Sequence, residues 1–346
     1  MTPDASPGVA SRKTTSRRSL LLAMGLAALL LFLALRGADW DKMLTTLRRG
    51  EPLALLAAAV LLAMAYFLRS LRWRVLLTAE KPISVATVFW AMVIGYLGNS
   101  FLPARLGELM RSTMIGRKTG VSTSFALATA LTERILDAIS LVLFSLIAIP
   151  FLDTDIPDWL KTAATVMAVL GVVGLTGFLV AHRFEKIIHA IIGRLPIPLR
   201  FQERLSQLVG EFLLGTRAFQ HPQRALIFAI MTPIIWSVDT VMSITVAGAF
   251  GLTLHPAEAL LLLAALGLAS AAPSTPGYVG IFQFVAVTVL VPFGFTRDEA
   301  LVYIISFQAI TYFIVLTWGL TGLWWLNRGK NIKSIPPENY SGFQVE

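Results

Sequence analysis

No cysteine occurs in the 346 residues, and that absence removes disulfide frameworks, thiol catalysis and thiolate-held metal. Charge is scarce: Asp, Glu, Lys and Arg make up 14% of the chain, against about 25% in an ordinary soluble domain. Histidine is down to His182, His189, His221 and His255, scattered in or near expected loops, so no metal site is expected. No Walker-type phosphate loop is present, so any transport would be downhill or ion-coupled. What abounds is apolar: 56% of residues are hydrophobic and mean hydropathy is +0.72. This is the composition of an integral membrane protein, for which the fold class expected is an all-α polytopic bundle. The net charge of +9 lies in short clusters between apolar runs. That spacing reads as membrane topology and anionic lipid headgroups, not as a nucleic-acid face. No cofactor is implied.

A helix needs about 20 apolar residues to cross the hydrocarbon. Six runs fit a full crossing, at about 19–35, 52–68, 124–149, 162–181, 225–250 and 300–326. The first follows Arg12, Lys13, Arg17 and Arg18 but is long and has no clear small-x-small cleavage site, so it reads as an uncleaved span. Two further apolar regions, 84–101 and 258–293, are interrupted by Pro and Gly. Counting each as full crossings would put the loop with Arg105, Arg111, Arg117 and Lys118 outside, together with the basic loop 182–224, and "DTDIPD" inside. The positive-inside rule opposes all three placements. The conflict disappears if 84–120 dips in from the cytoplasm and returns while 258–293 dips in from the opposite side. The expected organisation is a basic cytoplasmic tail 1–18, a transmembrane domain 19–326 with an interfacial cytoplasmic segment 182–224, and a cytoplasmic tail 327–346. Both termini then face the cytoplasm across a bacterial inner membrane. Loop 36–50, with Arg36, Lys42, Arg48 and Arg49, resists this scheme unless an interfacial helix lies there.

The interrupted segments share a tip: "PARLGEL" (Pro103 to Leu109) and "PGYVGIF" (Pro276 to Phe282) both read Pro-x-x-[Leu/Val]-Gly. With opposite orientations, the pair is the signature of an inverted-topology repeat whose broken helices meet near the bilayer midplane. Proline ends a helix, glycine permits close approach, and a restarting helix offers free N–H groups and the positive end of its dipole to an anion. The breaks therefore fall at Asn99, Pro103 and Gly107 in the first hairpin and at Pro273, Pro276, Gly277, Gly280 and Gln283 in the second.

The span 124–149 carries "LTERILDAIS", with Glu133 and Asp137 on one face and Arg134 beside them. Glu133 lies roughly 13 Å along the helix from Ser124, a depth at which charge costs about 2.5–3.5 kcal/mol. Arg105 and Arg111, each three residues from Glu108, are the expected partners. Asp239 is a second deep carboxylate, with Ser237, Thr240 or Ser243 as hydrogen-bond partners. Two readings stand: an ion network that locks the hairpins to the bundle, or one that also binds an anionic headgroup or relays protons. "FEKIIHAIIGRL" reads as an amphipathic helix on the cytoplasmic leaflet.

"GNSFLPARLGELMRSTMIGRKTG", then "ATALTERILDAISL", then "PSTPGYVGIFQ" is similar to the flippase-like family named for the transmembrane region of lysylphosphatidylglycerol synthase. That family includes hopanoid-cluster-associated proteins and archaeal proteins linked to dolichol-phosphate glycans. The resemblance covers about 20–326, and the family pattern falls on Asn99, Pro103, Arg105, Gly107, Glu108, Arg111, Glu133, Arg134 and Asp137. The late motif, usually ending in an acid, here runs Pro273, Ser274, Thr275, Pro276, Gly277, Gly280 and then Gln283. The resemblance implies movement of a polar lipid between leaflets, with Arg105 and Arg111 on a phosphate and Glu133 and Asp137 holding those arginines or exchanging protons. Synthase members append a soluble aminoacyl-transfer domain, whereas 20 residues follow residue 326 here, so no enzymatic activity is expected. The alternative is a non-transporting scaffold of envelope-lipid biosynthesis that docks an enzyme on loop 182–224. The partners expected are membrane lipids with anionic headgroups and such an enzyme, with association between copies compatible with either reading.

Overall fold

The computed structural model describes residues 17–328 apart from 103–105, 153–157, 159–161, 163–164, 167–168, 170, 175, 178–184, 196–197 and 271–275. The expected breaks Pro103 and Pro273, the candidate Arg105, most of "DTDIPD" and part of the 162–181 run lie outside the described residues. The described residues form helices and no strand. In chain order these include α1 (Arg17–Leu35), α2 (Trp40–Arg48), α3 (Pro52–Leu77), α4 (Val85–Phe101), α5 (Leu106–Thr119), α6 (Thr123–Ala148), α7 (Glu185–Arg194) and α8 (Leu199–Thr216). There follow α9 (Pro222–Gly248), α10 (Pro256–Ala269), α11 (Ile281–Leu290) and α12 (Arg297–Arg328). Four stretches are long and apolar enough to cross a membrane: Pro52–Leu77, Thr123–Phe151, Pro222–Gly248 and Arg297–Trp325. Met24–Leu35, Val85–Phe101, Pro256–Ala269 and Ile281–Phe293 are shorter apolar helices.

Local chemistry sets the boundaries. Proline opens α3, α9 and α10, where its missing N–H costs nothing. Ser84 and Ser122 cap α4 and α6 through the amides of Thr87 and Phe125. α2 occupies the loop 36–50, and the Asp39 carboxylate that caps it is held below its usual pKa, chiefly by the Lys42 amide it accepts from. α3 runs nine residues beyond the expected end of its span at residue 68, because its last turns bury Arg69 and Arg72 against carboxylates of other helices.

α3 and α9 lie side by side and antiparallel. The Glu51 amide donates to Ala249 O at 2.8 Å at one end, and Arg224 Nη2 donates to Thr78 O at 3.4 Å at the other. Each is followed by a helical hairpin, α4–α5 after α3 and α10–α11 after α9, so the hairpins enter the bundle from opposite ends. The first returns to its own end, where the Ser122 amide donates to Glu80 Oε1 at 2.9 Å. The arms of this hairpin meet backbone to backbone: a Cβ at Gly98 would stand 2.8 Å from the Gly107 Cα. The second hairpin turns through Gly277 (φ 73°), Tyr278 (φ 60°) and Gly280 (φ 89°), a left-handed run that ends one helix and lets the next restart.

The halves exchange partners. α4 packs on α12 of the other half, and α10 packs on α6. α2 packs on α12, and α8 on α6. Helix register repeats the relation residue by residue. Trp73 and Ser243 are the twenty-second residues of α3 and α9, and Thr129 and Tyr303 the seventh of α6 and α12. Trp73 Nε1 donates to Thr129 Oγ1 at 3.2 Å, and Ser243 Oγ and the Tyr303 hydroxyl are hydrogen-bonded at 2.5 Å. The fold thus contains two stretches, α3–α6 and α9–α12, with the same order of elements and with their first helices antiparallel.

Candidate functional site

Between α3, α5, α6 and α9, four arginines and four carboxylates pair off. Arg72 is fully buried and places Nη2 3.0 Å from Glu133 Oε1 and Nη1 2.8 Å from Asp137 Oδ1. Arg111 reaches Glu108 Oε2 at 2.5 Å with Nε and Glu133 Oε2 at 3.2 Å with Nη1. Arg134 Nε donates to Glu108 Oε1 at 2.8 Å. Arg69 forms a two-point ion pair with Asp239. Each guanidinium also lies over an aromatic ring: Arg111 over Trp73 at 4.4 Å, Arg72 over Phe228 at 4.6 Å, Arg69 over Trp236 at 5.4 Å and Arg134 over Tyr96 at 5.5 Å. Desolvating an ion costs several kcal/mol, which only this density of opposite charge and hydrogen bonds offsets. The rings add attraction to the guanidinium planes without requiring water.

Part of this network borders a cavity of about 290 Å³. Its walls combine the first hairpin (Tyr96, Asn99, Ser100, Glu108), the second (Leu263, Gly267, Tyr278, Phe282) and the long helices (Tyr66, Arg69, Arg134, Asp137, Trp236). The Arg134 side chain is 33% exposed, whereas those of Arg111 and Arg72 are 2% and 0% exposed. Of the two arginines on the cavity wall, Arg134 is the more exposed, Arg69 being 11% exposed. Glu108, its partner, is also held by Arg111, so letting Arg134 go does not leave a buried carboxylate alone.

The two halves differ in charge at matching positions. Glu108 and Gln283 are the third residues of α5 and α11, and Arg134 and Gln308 the twelfth of α6 and α12. Where Arg134 binds Glu108, Gln283 Nε2 donates to Gln308 Oε1 at 2.5 Å. Gln283 also accepts the Gly280 amide at 2.7 Å, and Gln308 Nε2 donates to Gly277 O at 3.0 Å, which pins the second tip. An acid at 283 would face a neutral glutamine, so glutamine fits this hub where glutamate would be an unpaired charge. Arg69 and Asp239, the eighteenth residues of α3 and α9, are each other's counterparts and bind across the relation that links the halves.

The structure brings Glu108, Arg111, Glu133, Arg134, Asp137 and Asp239 together around this centre, with Asn99 Nδ2 on Glu108 Oε1 at 3.3 Å. Arg111 is not among the residues that line this cavity. Asp137 is held by Arg72 and Asp239 by Arg69, while Arg111 reaches Glu133 as expected and Arg105 lies outside the described residues. Thr240 donates to the Trp236 carbonyl in its own helix, and Ser243 to or from Tyr303. Arg69, Arg72, Tyr66, Trp236 and Gln308 were not singled out from sequence. The signal for the two arginines was "FLRSLRWR", two cations one turn apart at the end of an apolar run. Among the described residues no three His, Asp or Glu side chains converge as metal ligands.

Residues 20–319 match the family described as "Lysylphosphatidylglycerol synthase TM region". Similar curated proteins include "Glycosyltransferase AglD" of Haloferax volcanii, 25% identical over 311 residues. The match takes in 80% of this chain and 48% of that protein, so the chain spans about half the length of that relative. A "UPF0104 membrane protein" of Methanothermobacter thermautotrophicus is 21% identical over 332 residues, covering 88% of this chain and 94% of that one. "UPF0104 membrane protein MJ1078" of Methanocaldococcus jannaschii is 21% identical over 225 residues, covering 64% and 90%. No solved structure matches.

Proposed function

The chain belongs to the family of the lysylphosphatidylglycerol synthase TM region, and on that premise we propose that it moves an anionic polar lipid, or assists its movement, between the leaflets of the cytoplasmic membrane. The observation that carries this reading is the cavity between two hairpins that enter from opposite ends, with the half-exposed Arg134 on its wall. The arms of the first hairpin have 17 and 14 residues and those of the second 14 and 10. At 1.5 Å per residue they reach about 15–26 Å, short of the ~30 Å hydrocarbon, which supports re-entrant segments meeting inside the membrane. A phosphate entering the cavity takes over Arg134 while Glu108 stays with Arg111. The aromatic walls accept the less polar parts of the headgroup. For the relative named as a glycosyltransferase, we assign the shared region to lipid handling, not to glycosyl transfer, and we read this chain as a transporter, not an enzyme.

Two measurements test the reading. The chain reconstituted in vesicles should exchange a fluorescently labelled anionic phospholipid between leaflets several times faster than a zwitterionic one, and a rate equal to protein-free vesicles ends the proposal. Since the chain has no native cysteine, single cysteines at 118 and 275 can be labelled from either side. They should react from opposite faces of the membrane, and labelling from one face alone rules out two oppositely oriented hairpins.

A further inference from the structure

Apart from the ion network, the chain forms an open hollow of about 620 Å³ at the end of the bundle where α3 stops and α6 and α9 start. Glu80, Arg217, His221 and Arg224 line it, over apolar contacts from Phe125 and Leu214. Glu80 is the one carboxylate in this lining, and it already accepts the Ser122 amide at 2.9 Å. Arg224 spends one nitrogen on Thr78 O at 3.4 Å, and neither arginine has an ion-pair partner among the described residues. The Arg217 side chain has no hydrogen-bond partner among them either. Two cations thus face one committed carboxylate in a concave wall, which concentrates positive potential there.

This is not a loose basic loop, because the turn Arg217–Gln220 that carries Arg217 is anchored on both sides. Ala218 is fully buried, and Phe219 meets Phe228 of α9 edge to face at 5.0 Å. One turn earlier, α8 lies so close to α6 that a Cβ at Gly215 would stand 2.6 Å from Ala128 O. The guanidinium stems therefore start from fixed backbone, and a ligand need not order the turn that binds it. The opposite end of the bundle has the reverse charge. Where α2 packs on α12, a hollow of about 480 Å³ is lined by Asp39, Asp41, Asp298 and Glu299 against Lys42 and Arg49. An anion is favoured at the first end and opposed at the other.

We infer that the hollow between α3, α6, α8 and α9 is a second anion site, which takes a phosphate group at the membrane surface. Arg217 and Arg224 donate to its oxygens, the geometry for which a planar guanidinium is suited. Phe125 and Leu214 sit against the carbon part of a phosphate ester. The site is separate from the cavity that Arg134 lines and does not depend on the transport reading.

The test uses the full chain in phosphatidylcholine vesicles with a few per cent of phosphatidylglycerol carrying a diazirine on its headgroup glycerol. Every sample carries Arg134→Gln, which takes the transport cavity out of the comparison. Photolysis and peptide mapping should place crosslinks on 214–224 in clear excess over 39–49. Arg217→Gln/Arg224→Gln should lower them about tenfold, and Arg217→Gln alone, which breaks no side-chain contact of the fold, should lower them as well. Arg200→Gln/Arg204→Gln removes the same charge from exposed positions of α8 outside the hollow and should leave them intact. Inorganic phosphate that displaces the crosslink, where chloride of equal ionic strength does not, would show that the site also takes free phosphate; no displacement assigns it to the lipid headgroup. Losses as large in the Arg200 and Arg204 variant, or no loss in the Arg217 and Arg224 variant, overturn the inference whatever the outcome for leaflet exchange.

Discussion

Arg72→Met should lower the stability of the folded chain by about 3–5 kcal/mol, enough to abolish a monodisperse, thermally cooperative preparation in detergent. Arg72 joins three long helices at once: it binds Glu133 and Asp137 on α6 and donates to Thr232 Oγ1 on α9 at 3.1 Å. Its side chain is fully buried, so water does not screen the loss. Methionine fills similar volume but leaves Asp137 without a cation, and Glu133 with Arg111 alone. The cost comes from the stranded carboxylate more than from the lost attraction. Arg72→Met/Asp137→Leu removes both charges together, keeps the Glu133–Arg111 pair, and should recover most of the melting temperature. A single variant as stable as the unmodified chain, or a double variant no better than the single, would reject the pairing described above.

Arg72 also shows which part of the site was legible in the sequence. Gly277 and Gly280 of "PGYVGIF" stand where the chain turns with positive φ, because glycine acts on backbone at the place where it stands. The carboxylates Glu133, Asp137 and Asp239 were legible too, since a charge inside an apolar run stands out against its neighbours. Their cations were not. Arg69 and Arg72 follow the apolar run that ends near residue 68, and a hydropathy pattern closes the helix there, whereas their partners stand 61 to 170 residues away in sequence. The helix continues to Leu77 because of those distant carboxylates.

The likeness between the two stretches is faint in the sequence for a related reason. Arg69 matches Asp239, Glu108 matches Gln283, Arg134 matches Gln308, and Tyr96 matches Gly267 by helix position, and no pair shares a residue type. What the halves share is which positions touch. Arg111 shows the same dependence on distant residues: its side chain meets Trp73, Met92 and Glu133, on three other helices.

Arg134→Gln should leave a folded protein whose exchange of anionic lipid falls about 10- to 100-fold, the weight of one hydrogen bond from a charged donor. The second half of the molecule already contains the neutral version of this contact, Gln283 bound to Gln308, so a glutamine at 134 can still donate to Glu108. Glu108 keeps Arg111 in either case, and no carboxylate is stranded. Stability should therefore change far less than in Arg72→Met, and the ratio of anionic to zwitterionic exchange should collapse toward one. A purely structural role for Arg134 would move stability and leave that ratio intact. Arg134→Lys should recover part of the rate, because the ammonium keeps the charge but loses the planar fork that grips a phosphate at two points. If exchange and headgroup preference survive Arg134→Gln unchanged, the half-exposed guanidinium is not the group that receives the lipid, and the cavity loses its anion site.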